Sequence, residues 1–575
     1  MPERRFVLSL VLGIGIAGAL LLAWPGAFAQ MERLSYDVRM RLTALPSRAD
    51  TRIVVCEIDD RSLRDLSRTD GIDWPWPREL FGEVVRFLRE GGAKAVVFDI
   101  LFDSPSRWSP GDDAAFASAL REAGGVVLAA TFSRAEVPAF ADERIRRTAL
   151  PWPGMPGSAP GFRSASPPVD PLVSASEGIG NVTPQADEDG VLRRIQPAVR
   201  LHGRMYPSLA LATAQVVHGR RARTTALWRS LTLGGGTVPL DDDGNMVLRF
   251  HGGARAYRRV SILDVILSCR LRLEGKPPLV DPASFRDAVV FIGATAQGLY
   301  DFKATPVGGH YPGVEIHATA LDNLLAGRAV RDETAGLPWL LTLIVPCAAL
   351  AVAAGAGARS LALSLGLWVL LVACVLGGSA WAFALGLAIP TVLPLLAATT
   401  CYAASSSLHH LGEARQRRQV ERAFSHYVHP EVVRELARDP GKLRLGGEER
   451  EMTVLFSDIA GFTPIAERLE PQAMVSLLSD YLTEMSEILH AHRGTLDKYI
   501  GDGIMAFWGA PLPQAEHAVL ACEAALDCQA RLRAMGPSLA ARGLPPLSAR
   551  IGINTGWMNV GNMGSRMLFN YTVQG

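Results

Sequence analysis

At 575 residues the chain is too long for one ordinary domain, and roughly three or four units are expected. A net charge of +1 gives no bulk pull toward nucleic acid, which is therefore not an expected partner. Hydrophobic residues make up 49% of the chain, and the excess is gathered in two places that decide its class.

The first is Phe6–Trp24, an uncharged apolar run preceded by Arg4 and Arg5. It is long enough to span a hydrocarbon core of about 30 Å. It reads as a retained N-terminal transmembrane helix within residues 1–29. The rival reading is a cleaved signal, because Ala27-Phe28-Ala29 resembles a cleavage site. The second is Thr334–Gly412, where Arg359 is the only Lys, Arg, Asp or Glu. Three spans within 336–407 are expected, at Leu337–Gly357, Ser360–Trp381 and Phe383–Ser406. Gly377, Gly378 and Ser379 are expected to let these helices pack closely. Arg4, Arg5, Arg359, Arg415, Arg417 and Arg418 all fall on one side of a four-span topology. By the positive-inside rule, residues 30–335 lie outside and everything after about 407 lies inside. The expected location is the inner (plasma) membrane, multi-pass. Of the seven cysteines, only Cys56 and Cys269 lie in the outer segment, which leaves room for one disulfide without implying it.

Residues 30–335 read as a soluble α/β domain. Ile53–Ile58, Ala95–Leu101, Gly125–Ala130 and Ala288–Ile292 are short apolar strands, and Arg78–Glu90 is an amphipathic helix. Strand, helix, strand in that order predicts a parallel sheet with crossover helices. Asp59, Asp60, Asp99 and Asp103 fall at strand C-terminal ends, where open α/β sheets bind ligands. The alternative is that they cap the helices or turns that follow. No set of nucleophile, base and oxyanion donors is apparent here. The stretches IVVCEIDD (53–60), WPWPRELF (74–81), GGAKAVVFDILF (91–102), VVFIGAT (289–295) and ATPVGGHYPGVEIHATALDNLLAG (304–327) resemble the type 2 CHASE family of extracellular sensor domains. That resemblance implies an input module and names no extracellular ligand.

Residues 408–445 read as a cytoplasmic signalling linker. Gln416–Phe424 is charged and helical in composition, with Val420, Phe424, Tyr427 and Val428 as a thin apolar stripe. It is either a helix pairing with its twin across a dimer or a solvated connector. Pro430 and Glu431 permit a new helix start. GGEER (446–450) reads as a turn leading into the first strand of the last domain, Met452–Phe456. That strand ends in Ser457-Asp458-Ile459-Ala460-Gly461-Phe462-Thr463. A carboxylate at a strand end, followed by a glycine-containing turn into a helix, suits a divalent metal with phosphates, or else a simple helix cap. Pro471–His490 is an amphipathic helix with Leu477, Tyr481, Met485 and Leu489 on its apolar face. GTLDKYI and IMAFWG are strands of a hairpin whose glycine-flanked tip carries Asp502. Asp458 and Asp502 could together hold two divalent ions around a triphosphate.

TVLFSDIAGFT (453–463), DKYIGDGIMAFWG (497–509), ARIGINTG (549–556) and FNYTVQG (569–575) resemble the class III nucleotidyl cyclases, in family order and spacing. Residues 446–575 then make an α+β, ferredoxin-like catalytic domain, and the whole is a multidomain membrane protein with four transmembrane helices. The resemblance implies that Asp458 and Asp502 bind metal and that Ile459 lends a backbone carbonyl. It implies that Gly461, Phe462 and Thr463 face phosphate and that Arg550 faces the triphosphate. Lys498 and Thr572 would read the purine. The cofactors would be two divalent ions, Mg²⁺ or Mn²⁺, and the partner a second copy in a homodimer whose interface holds the sites. A lysine donates to adenine N1 and a threonine hydroxyl accepts from N6, so ATP is favoured over GTP as substrate. The expected products are 3′,5′-cyclic AMP and pyrophosphate. A guanylyl cyclase, or a receptor with a non-catalytic cyclase-like module, are the competing readings. The family's pattern continues past Gly575 with an asparagine and an arginine, so this 575-residue form is expected to have little activity alone.

Overall fold

The computed structural model describes residues 2–135, 142–152, 161–224, 229–299, 301–334, 337–357, 360–424, 446–564 and 569–575. They form two units, Met1–Ser407 and Leu408–Gly575. Tyr427, Val428, Pro430 and Glu431 of the linker lie outside the described residues.

The first unit begins with α1 (Pro2–Ala23) and α2 (Pro25–Thr43). Proline at the first position of α2 suits a helix start, since its missing N–H would have no partner there. Among the described residues, two helical stretches are long and apolar enough to cross a membrane, Phe6–Ala23 and Ala362–Ala384. The other apolar segments also form helices, Leu337–Gly357 and Val392–Phe424.

Two details of this region differ from the sequence reading. The second apolar helix runs over Leu361–Ala384 and so absorbs Phe383. The break comes at Gly386, whose φ of 91° only glycine adopts freely. It is followed by Leu387–Ala388, which pairs in parallel with Arg331–Asp332. Phe383 is held back because its ring packs edge-on against Tyr36, 5.0 Å between centroids. Close helix approach occurs at Gly13 and Gly355, where an added Cβ would lie 2.5 Å from Cys401 and 2.9 Å from Ser405. At Gly377 and Gly378 the same atom would meet open space.

Charged residues at the start of the sensor hold the loop before Val392. Arg39 donates to the Ile389 carbonyl (2.9 Å) and pairs with Glu32 (2.9 Å). Glu32 Oε2 in turn accepts from the Val392 N–H (2.8 Å), so a side chain distant in sequence caps that helix. Arg193 is buried against Asp37, Asp187 and Asp189 at 2.8–2.9 Å, fixing α2 to the sensor.

The sensor is built on a parallel sheet, as its strand–helix–strand order predicts. The principal strands are β1 (Ile53–Ile58), β2 (Ala95–Asp99), β3 (Val126–Ser133), β4 (Ser164–Ser166), β5 (Gly178–Asn181), β6 (Arg258–Ser261) and β7 (Val289–Ala294). They lie in the order β6-β1-β7-β2-β3-β4, with β5 also on β3, and every pairing but β3–β4 is parallel. Both faces are covered, which is why these strands read as unbroken apolar runs. Val54, Cys56, Val96, Phe98, Val290 and Ile292 pack under the helices Arg78–Glu90 and Ile262–Leu273. Ile53, Val55, Val97 and Phe291 pack on the other side against Leu209–His218 and Gly313–Ala326. All seven cysteines are free, Cys56 and Cys269 included.

The second unit holds a five-stranded sheet: β8 (Gly446–Ile459), β9 (Thr495–Ile500), β10 (Gly503–Trp508), β11 (Ala549–Gly564) and β12 (Phe569–Gln574). Their order is β9-β10-β8-β11-β12, all antiparallel. GGEER is not a turn. It is the first part of β8, and Gly446–Arg450 pair with Met558–Asn562 because β11 is long enough to continue the ladder. One face of the sheet packs Leu455, Ile504, Ala506 and Trp508 against Pro471–Ala491 and His517–Ala541. The other carries Met452, Val454, Met505 and Phe507, with Val573 of β12 laid back across them.

Candidate active site

Asp458 stands one residue from the end of β8, and Asp502 sits in the turn between β9 and β10. β8 and β10 are direct neighbours, Ser457 facing Ile504, so the two carboxylates converge at one end of the sheet. Gly501 takes a φ of 65°, which lets a two-residue turn close the hairpin. The Ile459 N–H donates to Asp502 Oδ2 at 3.2 Å and fixes that carboxylate. Partial burial, and then the Asp458 carboxyl beside it, hold the Asp502 carboxyl above the usual carboxylate range. An aspartate whose charge is disfavoured beside a second carboxylate is part of a donor set that a divalent cation would relieve. Among the described residues no group of three or more His, Cys, Asp or Glu side chains is placed to hold a metal ion, so further ligands here would be backbone oxygen, phosphate or water.

Gly461 (φ 70°) is the N-cap of the short helix Phe462–Ala466, and Gly461 and Thr463 are exposed beside the paired aspartates. Arg550 is exposed and lies directly across from Asp458 in the ladder. Lys498 is across from Met505, which is across from Phe456, so all three share the face away from the helices. Phe456 is 51% exposed there.

The sequence reading missed Asp497. A register shift between Leu496 and Lys498 makes it the bulged residue of β9, and its side chain is fully buried. Thr572 donates its hydroxyl to Asp497 Oδ2, and Lys498 Nζ lies 3.4 Å from Asp497 Oδ1. Lys498 and Thr572, from opposite edges of the sheet order, thus meet at one carboxylate. The bulge could not be read from sequence, because alternation along GTLDKYI gives no sign of an extra residue.

The chain matches the CHASE2 domain over residues 11–358 and the adenylate and guanylate cyclase catalytic domain over residues 447–575. It therefore belongs to the CHASE2 domain family and carries a class III nucleotidyl cyclase domain behind that sensor. "Adenylate cyclase 1" of Rhizobium meliloti is 36% identical over 167 residues, 28% of this chain and 25% of that protein. The chain thus spans about a quarter of the length of that curated relative. The crystal structure of the guanylyl cyclase Cya2 is 40% identical, covering 23% of this chain and 66% of that one, with a TM-score of 0.22. The crystal structure of the adenylyl cyclase CyaB from P. aeruginosa is also 40% identical, covering 23% and 68%, with a TM-score of 0.22.

Proposed function

We propose that this protein is a multi-pass membrane sensor cyclase that converts ATP to 3′,5′-cyclic AMP and pyrophosphate at sites shared between two copies. The apolar helices would place residues 30–335 outside and the cyclase domain in the cytoplasm, with four spans in all. The observation that carries the enzymatic reading is the convergence of Asp458 and Asp502 at neighbouring strand ends, close enough to shift Asp502.

The pair fits one or two divalent ions, Mg²⁺ or Mn²⁺, with the Ile459 carbonyl as a further ligand. When bound, such ions lower the pKa of the ribose 3′-hydroxyl and balance charge on the leaving pyrophosphate. The chain's own residues bind and orient. Gly461, Phe462 and Thr463 would present backbone to the phosphates, and Arg550 would face the triphosphate. Asp497 supports the base assignment. Because Thr572 gives its hydroxyl proton to Asp497, its lone pairs remain as acceptors, which suits adenine N6–H₂ and not guanine O6. Lys498, with donors only, suits adenine N1 and not the N1–H of guanine. The exposed Phe456 on the Lys498 face suits cover by a second copy.

The test is divalent-dependent binding of ATP by the purified chain. Asp458→Asn and Asp502→Asn should each abolish it, and where cyclic AMP formation is measured it should fall by at least about 10²–10³-fold. Metal-dependent ATP binding that survives both substitutions overturns the reading.

A further inference from the structure

The sensor's Asp99 does not cap anything. Asp59 does: its Oδ1 accepts from the Ser62 N–H at 2.7 Å. Asp99 instead ends β2 beside a cavity of about 230 Å³ at the C-terminal end of the parallel sheet. Leu101, Val182, Leu192 and Ile316 give the cavity apolar walls. It is far larger than the roughly 10–15 Å³ one water needs and just under the about 300–1,000 Å³ of drug-sized sites. His317, on the helix Gly313–Ala326, lines the same space, with Nε2 3.9 Å from Asp99 Oδ1. Both side chains are 8% exposed. Asp99 Oδ2 and His317 Nδ1 are each buried without a hydrogen-bond partner. Two buried polar atoms without partners, on side chains that line one apolar-walled space, are costly unless something supplies donors.

The other charged groups at the cavity are already ion-paired, although Arg194 Nε, like Asp99 Oδ2, is buried without a hydrogen bond. Lys303 pairs with Asp301 at 3.3 Å, and Arg194 is held by Asp187 (3.1 Å), Asp241 (2.6 Å) and Asp332 (3.6 Å). No free cation remains among the described residues lining it, so an anionic ligand has no counter-charge. Asp99 is the group without a cation. Among the described residues no cluster suits a metal ion.

We propose that this cavity is the sensor's ligand site and that it takes a small primary amine, the ammonium group bonding Asp99 and His317 and the alkyl body lying on the apolar wall. Burial, with Asp301 adding and Lys303 opposing, pushes the Asp99 carboxyl up to about 8, and burial pushes His317 down to about 4. The empty cavity therefore holds two neutral groups near pH 7. Entry of R–NH₃⁺ leaves Asp99 as the carboxylate and releases its proton to solvent. Affinity then rises about tenfold per pH unit until Asp99 ionises near pH 8 in the empty cavity, and levels above that. His317 titrates below this window and keeps its acceptor.

The experiment is calorimetric titration of the full chain in lipid nanodiscs with butylammonium chloride, against butanol and butyrate as controls of similar size. Buffers of different ionisation enthalpy count protons. Expected are saturable binding of butylammonium alone, release of close to one proton at pH 7, and loss of binding in Asp99→Asn but not in Asp103→Asn. Equal binding of butanol or butyrate overturns the proposal. So does pH-independent binding, or an Asp99→Asn protein that binds as well as the parent. If Asp99→Asn fails to fold, the proton count on the parent chain decides.

Discussion

The two sheets of this protein solve burial in opposite ways. The sensor sheet is parallel and sealed on both faces, and its candidate ligand groups, Asp99 and His317, lie inside. The cyclase sheet is antiparallel and covered by helices on one face. Its candidate groups Asp458, Lys498 and Arg550 are exposed. A sealed sheet can enclose a small molecule by itself. An open one leaves its chemistry at a surface, where a second chain has room to complete it. On the proposals made above, the sensor would need only its own fold for recognition, while the cyclase half would depend on a second copy at its open face.

Substitutions can break or sharpen that contrast. The largest effect is expected in the sealed region. Phe98 is fully buried, edge-on to Phe81, Phe102 and Phe116 at 5.6–5.8 Å, so Phe98→Ala should cost about 3–5 kcal/mol in sensor unfolding. A shift near zero by calorimetry would mean that this face is not sealed. Next comes base choice on the open face. Lys498→Glu should lower the ATP:GTP binding ratio by about 10–10²-fold, the range of one hydrogen bond to a charged group. An unchanged ratio removes Lys498 from the base site. Smaller is Phe456→Ser. It should leave domain stability within about 0.5 kcal/mol and weaken self-association, read by sedimentation. The smallest concerns pH. The Asp502 carboxyl is raised, so without metal its ionisation opposes folding. Stability should fall slightly as pH rises through the acid range, and Asp502→Asn should flatten that slope.

Much of this was legible in the sequence. Apolar runs at 53–58 and 95–99 gave the buried strands, and the helix Arg78–Glu90 lies at the residues its periodicity marks. The hairpin carrying Asp502 followed from its glycines. What was hidden depends on contacts between distant segments. GGEER looks like a turn by composition, and only the length of β11 makes it a strand. Asp497 is ordinary in sequence until a bulge turns it toward Thr572, 75 residues later. The break after the second apolar helix shifted because Phe383 finds Tyr36, and no local rule reaches across that separation.

The contact between Glu32 and Val392 carries a mechanical consequence. A helix is a stiff rod, and Val392–Phe424 is 33 residues, about 50 Å at roughly 1.5 Å per residue. Its first turn is gripped by a carboxylate that belongs to the segment leading into the sensor, and the same segment is locked by Arg193. A rotation or slide of α2 would therefore act directly on the first turn of that helix, with no loop between to absorb it. Glu32→Ala would turn that grip into a slipping clutch, leaving α2 and the later helix folded but no longer tied at this point.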